Sequence, residues 1–190
     1  MAYKPYAFEL KKPKAPNTLF LDRDGVLNKV VMRSSEISSP RNIKELEIFK
    51  DIEALINKEI IGKWNLVIIT NQPDLSRKLI DLSFIEKTND LIQSQIPINC
   101  IYICPHQSES HCICRKPKIG MIKQFRKDYP KINGKELFIG DRQSDKECAI
   151  RANVSFVLRK ALHNRNIYNP NHLSINSLWD LPKVCKDYAK

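Results

Sequence analysis

Short apolar runs rich in β-branched residues alternate along the chain with stretches whose apolar residues recur at helical spacing, the pattern of βα units around a buried parallel sheet. Five strands are predicted: Thr18–Asp22, Leu66–Thr70, Cys100–Cys104, Glu136–Gly140 and Val154–Leu158. Between them Ile52, Leu55, Ile56 and Ile60 share one helical face, and so do Leu82, Ile85, Ile92 and Ile96. Two capping boxes, Ser83 with Glu86 and Ser144 with Glu147, mark expected helix starts. A further helix carried by Met121, Ile122 and Phe125 is ended by Pro130, Asn133 and Gly134. The asparagine-rich stretch 160–176 reads as a long surface loop before a last short element around Leu178–Val184.

In open sheets of this kind ligands bind beyond the carboxyl ends of the strands. Asp22, Thr70, Cys104 and Asp141 all fall at such ends, so residues from four different strands are expected to converge on one rim.

With 190 residues, 42% of them hydrophobic, the chain can build one sizeable core and is short for two, so a single domain is expected over 1–190, with a core at about 17–158 and a C-terminal extension at about 160–190. The basic N-terminal stretch, broken by Pro5, Pro13 and Pro16, has no apolar run suited to a signal segment, and no later run approaches membrane-spanning length. A cytoplasmic protein is expected, without a membrane partner and as a monomer. The net charge of +11, from 32 Lys and Arg against 21 Asp and Glu, is compatible with nucleic acid and equally with a small anionic substrate. Because the basic residues are scattered, a solvated surface is the favoured reading of them.

Cys104, His106, Cys112 and Cys114 lie within eleven residues. Three thiolates and one imidazole close a tetrahedron around zinc and leave no position for water, so the site is read as structural. His111 is a spare candidate ligand, while Cys100, Cys148 and Cys185 sit in apolar stretches and read as small core residues.

Asp22-Arg23-Asp24-Gly25 puts two carboxylates on one tight turn, one able to attack phosphorus and the other able to act as acid and base. Gly140-Asp141-Arg142-Gln143-Ser144-Asp145 adds the further carboxylate that a magnesium ion wants. Phosphoryl transfer mainly needs charge neutralisation and positioning, for which Thr70 and Lys116 supply a hydroxyl and an ammonium.

The order Asp-x-Asp, strand-end Thr70, Lys116-Pro117 and Gly140-Asp141-x-x-x-Asp145 resembles the haloacid dehalogenase superfamily of aspartyl phosphatases. Phe20 through Asn28, Thr70-Asn71-Gln72 and Cys104 through Pro117 resemble its zinc-containing branch, which holds D-glycero-D-manno-heptose 1,7-bisphosphate 7-phosphatases and histidinol-phosphate phosphatases. The resemblance covers about 17–158 and implies a Rossmann-like α/β fold without a large cap domain, a zinc-bound loop shaping the substrate side in its place. It implies Asp22 as nucleophile, Asp24 as acid and base, and Thr70 and Lys116 as stabilisers of the transferring phosphoryl. Magnesium would take the Asp22 carboxylate, the Asp24 carbonyl and Asp141, with Asp145 supporting Asp141. Asn71, Gln72, Arg77, Arg115 and Arg142 are the candidate substrate-binding residues. After Thr-Asn-Gln the heptose enzymes usually continue Ser-Gly-Val-Ala-Arg-Gly, whereas this chain has Pro73-Asp74-Leu75-Ser76-Arg77-Lys78, and 29–40 is longer and richer in serine than the loop expected there.

The expectation is therefore a magnesium-dependent sugar-phosphate phosphatase acting on a heptose bisphosphate in nucleotide-heptose synthesis for a cell-surface glycan such as lipopolysaccharide. Arg77 and Arg115 suit a second anionic group, which ranks histidinol phosphate, with its amine, second. Removal of 3′-phosphates from nucleic-acid ends would use the charge but gives no reason for the zinc loop, and a basic zinc-stapled nucleic-acid-binding module would carry a decayed catalytic rim.

Overall fold

Runs such as Leu66–Ile69 and Cys100–Ile103 have no polar face, so they fit only a sheet covered on both sides. The computed structural model describes residues 4–170 and 172–189. In chain order its elements are β1 (Tyr6–Glu9), β2 (Asn17–Leu21), β3 (Val31–Arg33), β4 (Glu36–Ser38), β5 (Trp64–Asn71), α1 (Leu82–Gln93), β6 (Cys100–Cys104), α2 (Gly120–Asp128), β7 (Glu136–Gly140), α3 (Gln143–Arg151), β8 (Ser155–Arg159), β9 (Ser174–Ile175) and α4 (Leu181–Tyr188). Seven strands form one sheet in the order β1-β6-β5-β2-β7-β8-β9, and β3 and β4 pair separately as a hairpin. All pairings in the large sheet are parallel except β1 with β6.

Alternation along each strand divides the core into two layers. Leu19, Leu21, Leu66, Ile68 and Leu137 face one side and meet Ile85 and Ile92 of α1 and Leu181 and Cys185 of α4. Phe20, Val67, Ile69, Tyr102 and Phe138 face the other and meet Met121, Ile122 and Phe125 of α2 and Cys148 and Ala149 of α3. Fully burying each such side chain contributes about 1.5–3 kcal/mol before conformational entropy is set against it. The chain runs from β2 outward to β5 and β6, then returns to β7 on the other flank of β2. The carboxyl ends of β2 and β7 thus border the point where strand order reverses, the place where such sheets open a crevice.

The five predicted strands are present with ends shifted by two residues at most, and four details differ. The Ile52 face belongs to a 3-10 helix, Lys50–Ile56, on which Ile52 and Leu55 are buried and Ile56 is 54% exposed. Asp81, not Ser83, caps α1, accepting from the Phe84 N–H at 2.9 Å while the Ser83 hydroxyl donates to the same carboxylate. At α3 the capping carboxylate is Asp145, which accepts from the N–H groups of Asp141 and Arg142. Finally, 160–176 is not surface loop throughout: it contains a 3-10 turn, Leu162–Asn164, with Asn164 buried, and β9 extends the sheet. Among the described residues no helix is long and apolar enough to cross a membrane.

Candidate active site

Asp22 is the first residue past β2, and its N–H still donates to the Ile139 carbonyl of β7 at 3.0 Å. The chain then turns sharply through Gly25, whose φ of +88° suits glycine. A Cβ at Gly25 would meet the Asp141 carboxylate at 2.0 Å, so the absent side chain is what lets the two strand ends close up. Asp22, Asp24, Lys116, Asp141 and Asp145 are all buried.

Lys116 Nζ lies 2.8 Å from Asp22 Oδ1 and 2.8 Å from Asp145 Oδ1, and its pKa is raised: burial opposes the charge, but the two carboxylates outweigh it. Asn71 fixes the backbone of that lysine, its Oδ1 accepting from Lys116 N–H at 3.0 Å and its Nδ2 donating to the Lys116 carbonyl at 3.2 Å. Gln72 reaches the other way, donating to Asp24 Oδ2 at 2.7 Å and Thr70 Oγ1 at 3.0 Å. Asp24 also accepts from Arg23, Asn28 and Ser39. Burial alone would raise its pKa, yet the Arg23 guanidinium and these donors hold it down to about 2. Asp22 goes the opposite way, because burial and the Asp145 charge exceed the pull of Lys116 and push it up to about 6.

Asp141 completes the carboxylate group, with oxygens of Asp22, Asp141 and Asp145 within 4.8 Å of one another. Both Asp145 oxygens already face donors, one Lys116 and the other two backbone N–H groups. Asp141 Oδ1, by contrast, is buried with no hydrogen-bond partner, which is the condition a cation would relieve. Oxygen donors of this kind suit magnesium. Burial raises the Asp141 pKa against a hydrogen bond from His163.

Asp22, Asp24, Thr70 and Lys116 line a cavity of about 240 Å³, together with Arg77, Arg115 and Arg142 and with 37–39 after the β3–β4 turn. Asn71 also lines it, while Gln72 is fully buried. Asp74, where the heptose enzymes usually have glycine, accepts from Arg77 Nη1 at 3.1 Å and from Arg41 Nε at 2.7 Å, tying the segment after the hairpin to the cavity wall.

Cys104 leaves β6 into the loop that ends at Lys116. Sγ of Cys104 lies 3.7 Å from Cys112 Sγ and 3.5 Å from His106 Nδ1, and Cys114 Sγ lies 3.3 Å from that nitrogen. Ligand bonds of zinc length set tetrahedral edges of about 3.5–3.8 Å, so the donor set fits that ion. The thiols compete for charge, a hydrogen bond from Cys114 bringing Cys104 down to about 6 while raising Cys114 itself. His111 is exposed and stands outside the cluster. Burial pushes Cys100, Cys148 and Cys185 up to about 11, 12 and 12, as expected of core thiols.

Three contributors had no signal in the sequence. Ser39 Oγ donates to Asp24 Oδ2 at 2.7 Å, His163 Nε2 lies 2.7 Å from Asp141 Oδ2, and Asn164 Nδ2 donates to the Asp141 carbonyl at 2.8 Å. Each partner is 15 to 23 residues away along the chain, beyond the reach of any local motif.

A family model described as polynucleotide kinase 3 phosphatase matches residues 19–165. The D-glycero-alpha-D-manno-heptose-1,7-bisphosphate 7-phosphatase of Photorhabdus laumondii is 32% identical over 179 residues, covering 87% of this chain and 94% of that protein. The D-glycero-beta-D-manno-heptose-1,7-bisphosphate 7-phosphatase of Haemophilus influenzae is 32% identical over 191 residues, covering 90% and 98%. Among solved structures, the D,D-heptose 1,7-bisphosphate phosphatase of B. bronchiseptica, complexed with magnesium and phosphate, superposes with a TM-score of 0.75 at 22% identity, over 91% of this chain and 99% of that one. That last likeness is one of fold.

Proposed function

The chain belongs to the haloacid-dehalogenase-like phosphatases, and we propose that it removes the 7-phosphate from D-glycero-D-manno-heptose 1,7-bisphosphate through an aspartyl-phosphate intermediate. The observation that carries this reading is the Asp22–Lys116 pair, 2.8 Å apart and buried beside Asp24 and Asp141, in a cavity that three arginines share.

An Asp22 oxygen attacks the phosphorus and the ester bond to the sugar breaks. Asp24, ionised in the free enzyme, takes up the proton that a phosphate monoanion brings and gives it to the departing sugar oxygen. It then takes one from the water that cleaves the acyl phosphate and returns it to the inorganic phosphate released, so enzyme and proton count are restored. Lys116 and the Thr70 hydroxyl neutralise charge on the equatorial oxygens. Gln72 holds Asp24 and Thr70 in register, and Asn71 does the same for Lys116, so both amides act by positioning. Magnesium, held by Asp22, the Asp24 carbonyl and Asp141, would supply further positive charge to the phosphoryl group. Zinc held by Cys104, His106, Cys112 and Cys114 would stiffen the loop that carries Arg115 and Lys116.

Arg77, Arg115 and Arg142 suit the phosphate that is not cleaved. Phosphate release from both anomers of the heptose bisphosphate, histidinol phosphate and a 3′-phosphorylated oligonucleotide tests the reading. Highest kcat/KM on a heptose bisphosphate, with magnesium required, is the expected outcome. Arg115→Ala should lower that value by about tenfold to a hundredfold, the loss of one charge-assisted contact, and leave an aryl monophosphate little changed. Preference for histidinol phosphate or the oligonucleotide would overturn the substrate assignment.

A further inference from the structure

Asp141 is fully buried, and its two oxygens differ sharply. Oδ2 meets His163 Nε2 at 2.7 Å, whereas Oδ1 has no hydrogen-bond partner. The imidazole comes from the short turn Leu162–Asn164, far from the sheet rim in sequence. That turn is fastened independently of the histidine. Asn164 Nδ2 donates to the carbonyls of Asp141 and Arg159, at 2.8 and 2.9 Å, and its Oδ1 accepts from Ala161 N–H at 2.9 Å. Arg159, one turn upstream, is in turn locked to Val26 and to both oxygens of Asp51. His163 is thus delivered on a rigid support, with its side chain only 17% exposed.

A carboxylate turns freely about its last torsion unless something fixes it. Asp141 has a strong reason to turn, because it faces the Asp22 carboxylate across less than 4.8 Å. On one flank the bare Gly25 leaves room for it, and on the other the imidazole grips Oδ2. We propose that His163 is a positioning residue for the divalent cation: by donating from Nε2 to Asp141 Oδ2, it keeps Oδ1 turned toward Asp22, so that the two carboxylates present a preformed site. This rests on the magnesium reading above and adds a residue, and a role for the C-terminal segment, that the catalytic motifs do not contain. Donors behind metal-binding side chains commonly carry 10- to 100-fold in affinity.

The test is Mg2+ binding to the full-length, substrate-free protein, measured by titration calorimetry. Alongside wild type it takes His163→Ala, His163→Gln, whose amide can donate over a similar reach, and Asp141→Asn. His163→Ala should weaken Mg2+ binding by about 10- to 100-fold and His163→Gln should recover most of the loss, with the metal-free melting temperatures of the two variants close together. Wild-type affinity in His163→Ala, or equal weakening in both variants, would overturn the proposal. If instead Asp141→Asn binds Mg2+ as well as wild type does, the magnesium reading itself is wrong, an outcome distinct from failure of the histidine's role.

Discussion

Lys116 stands between Asp22 and Asp145 with little contact with water, and that placement decides how the cluster behaves without its cation. One ammonium cannot neutralise Asp22, Asp145 and Asp141 together. Asp22 responds with a pKa of about 6 in place of its ordinary 3.8, and Asp141 is raised as well. A carboxyl whose folded value is raised destabilises the folded state once ionised. The cost from Asp22 is full above about pH 6 and disappears as pH falls toward its ordinary value of about 4. A cation taking Asp22 must displace that proton, so binding should release protons and weaken with acidity. Calorimetric Mg2+ affinity should be nearly constant at about pH 7–8 and fall below about pH 6. A flat profile down to about pH 5 would mean that Asp22 does not bind the ion.

At the scale of elements, the cysteine-rich loop and the strand ends act as one support. The loop enters from β6 at Cys104 and leaves at Lys116, where Asn71 of β5 grips both backbone groups. Lys118 Nζ donates to the Cys112 carbonyl at 2.6 Å, and Arg115 Nη1 to that of His106 at 3.2 Å. Cys112→Ser should therefore lose zinc and disturb Lys116 together. A loss of even about 3 kcal/mol lowers the melting temperature by roughly 6–12 °C in a chain of this size. Elemental analysis with scanning calorimetry checks this, and an unchanged melting temperature in a zinc-free variant would contradict it. The same scale explains what the sequence could reveal. Cys100–Cys104 and Glu136–Gly140 were predicted residue for residue because buried parallel strands are apolar on both faces. β1 was missed because it is an exposed edge strand in a basic, proline-broken stretch. The β3–β4 hairpin was missed because Ser34 and Ser35, at φ of 47° and 69°, make its turn where Asn-Gly would have announced one. The motifs that the fold brings together at the candidate site were legible because each is local. Ser39, Arg41 and His163 were not, because only the folded chain brings them to Asp24, Asp74 and Asp141.

Across the whole molecule, ends of β2, β5, β6 and β7 meet at one rim, where a hairpin and the cysteine-rich loop line the cavity and the turn after β8 reaches Asp141. The charge of +11 is spread over the chain, but Arg77, Arg115 and Arg142 gather at the cavity, where an anionic substrate would feel them most. The proposed reaction turns on one oxygen, that of Asp22, attacking phosphorus. The central claim is therefore tested most directly by acid-quenching the enzyme during turnover of heptose 1,7-bisphosphate with Mg2+ and mapping the modified peptide by mass spectrometry. The account predicts one added phosphoryl group on the peptide containing Asp22, absent from Asp22→Asn, which should also be inactive. Full turnover by Asp22→Asn, or a phosphoryl group on any other residue, would contradict it.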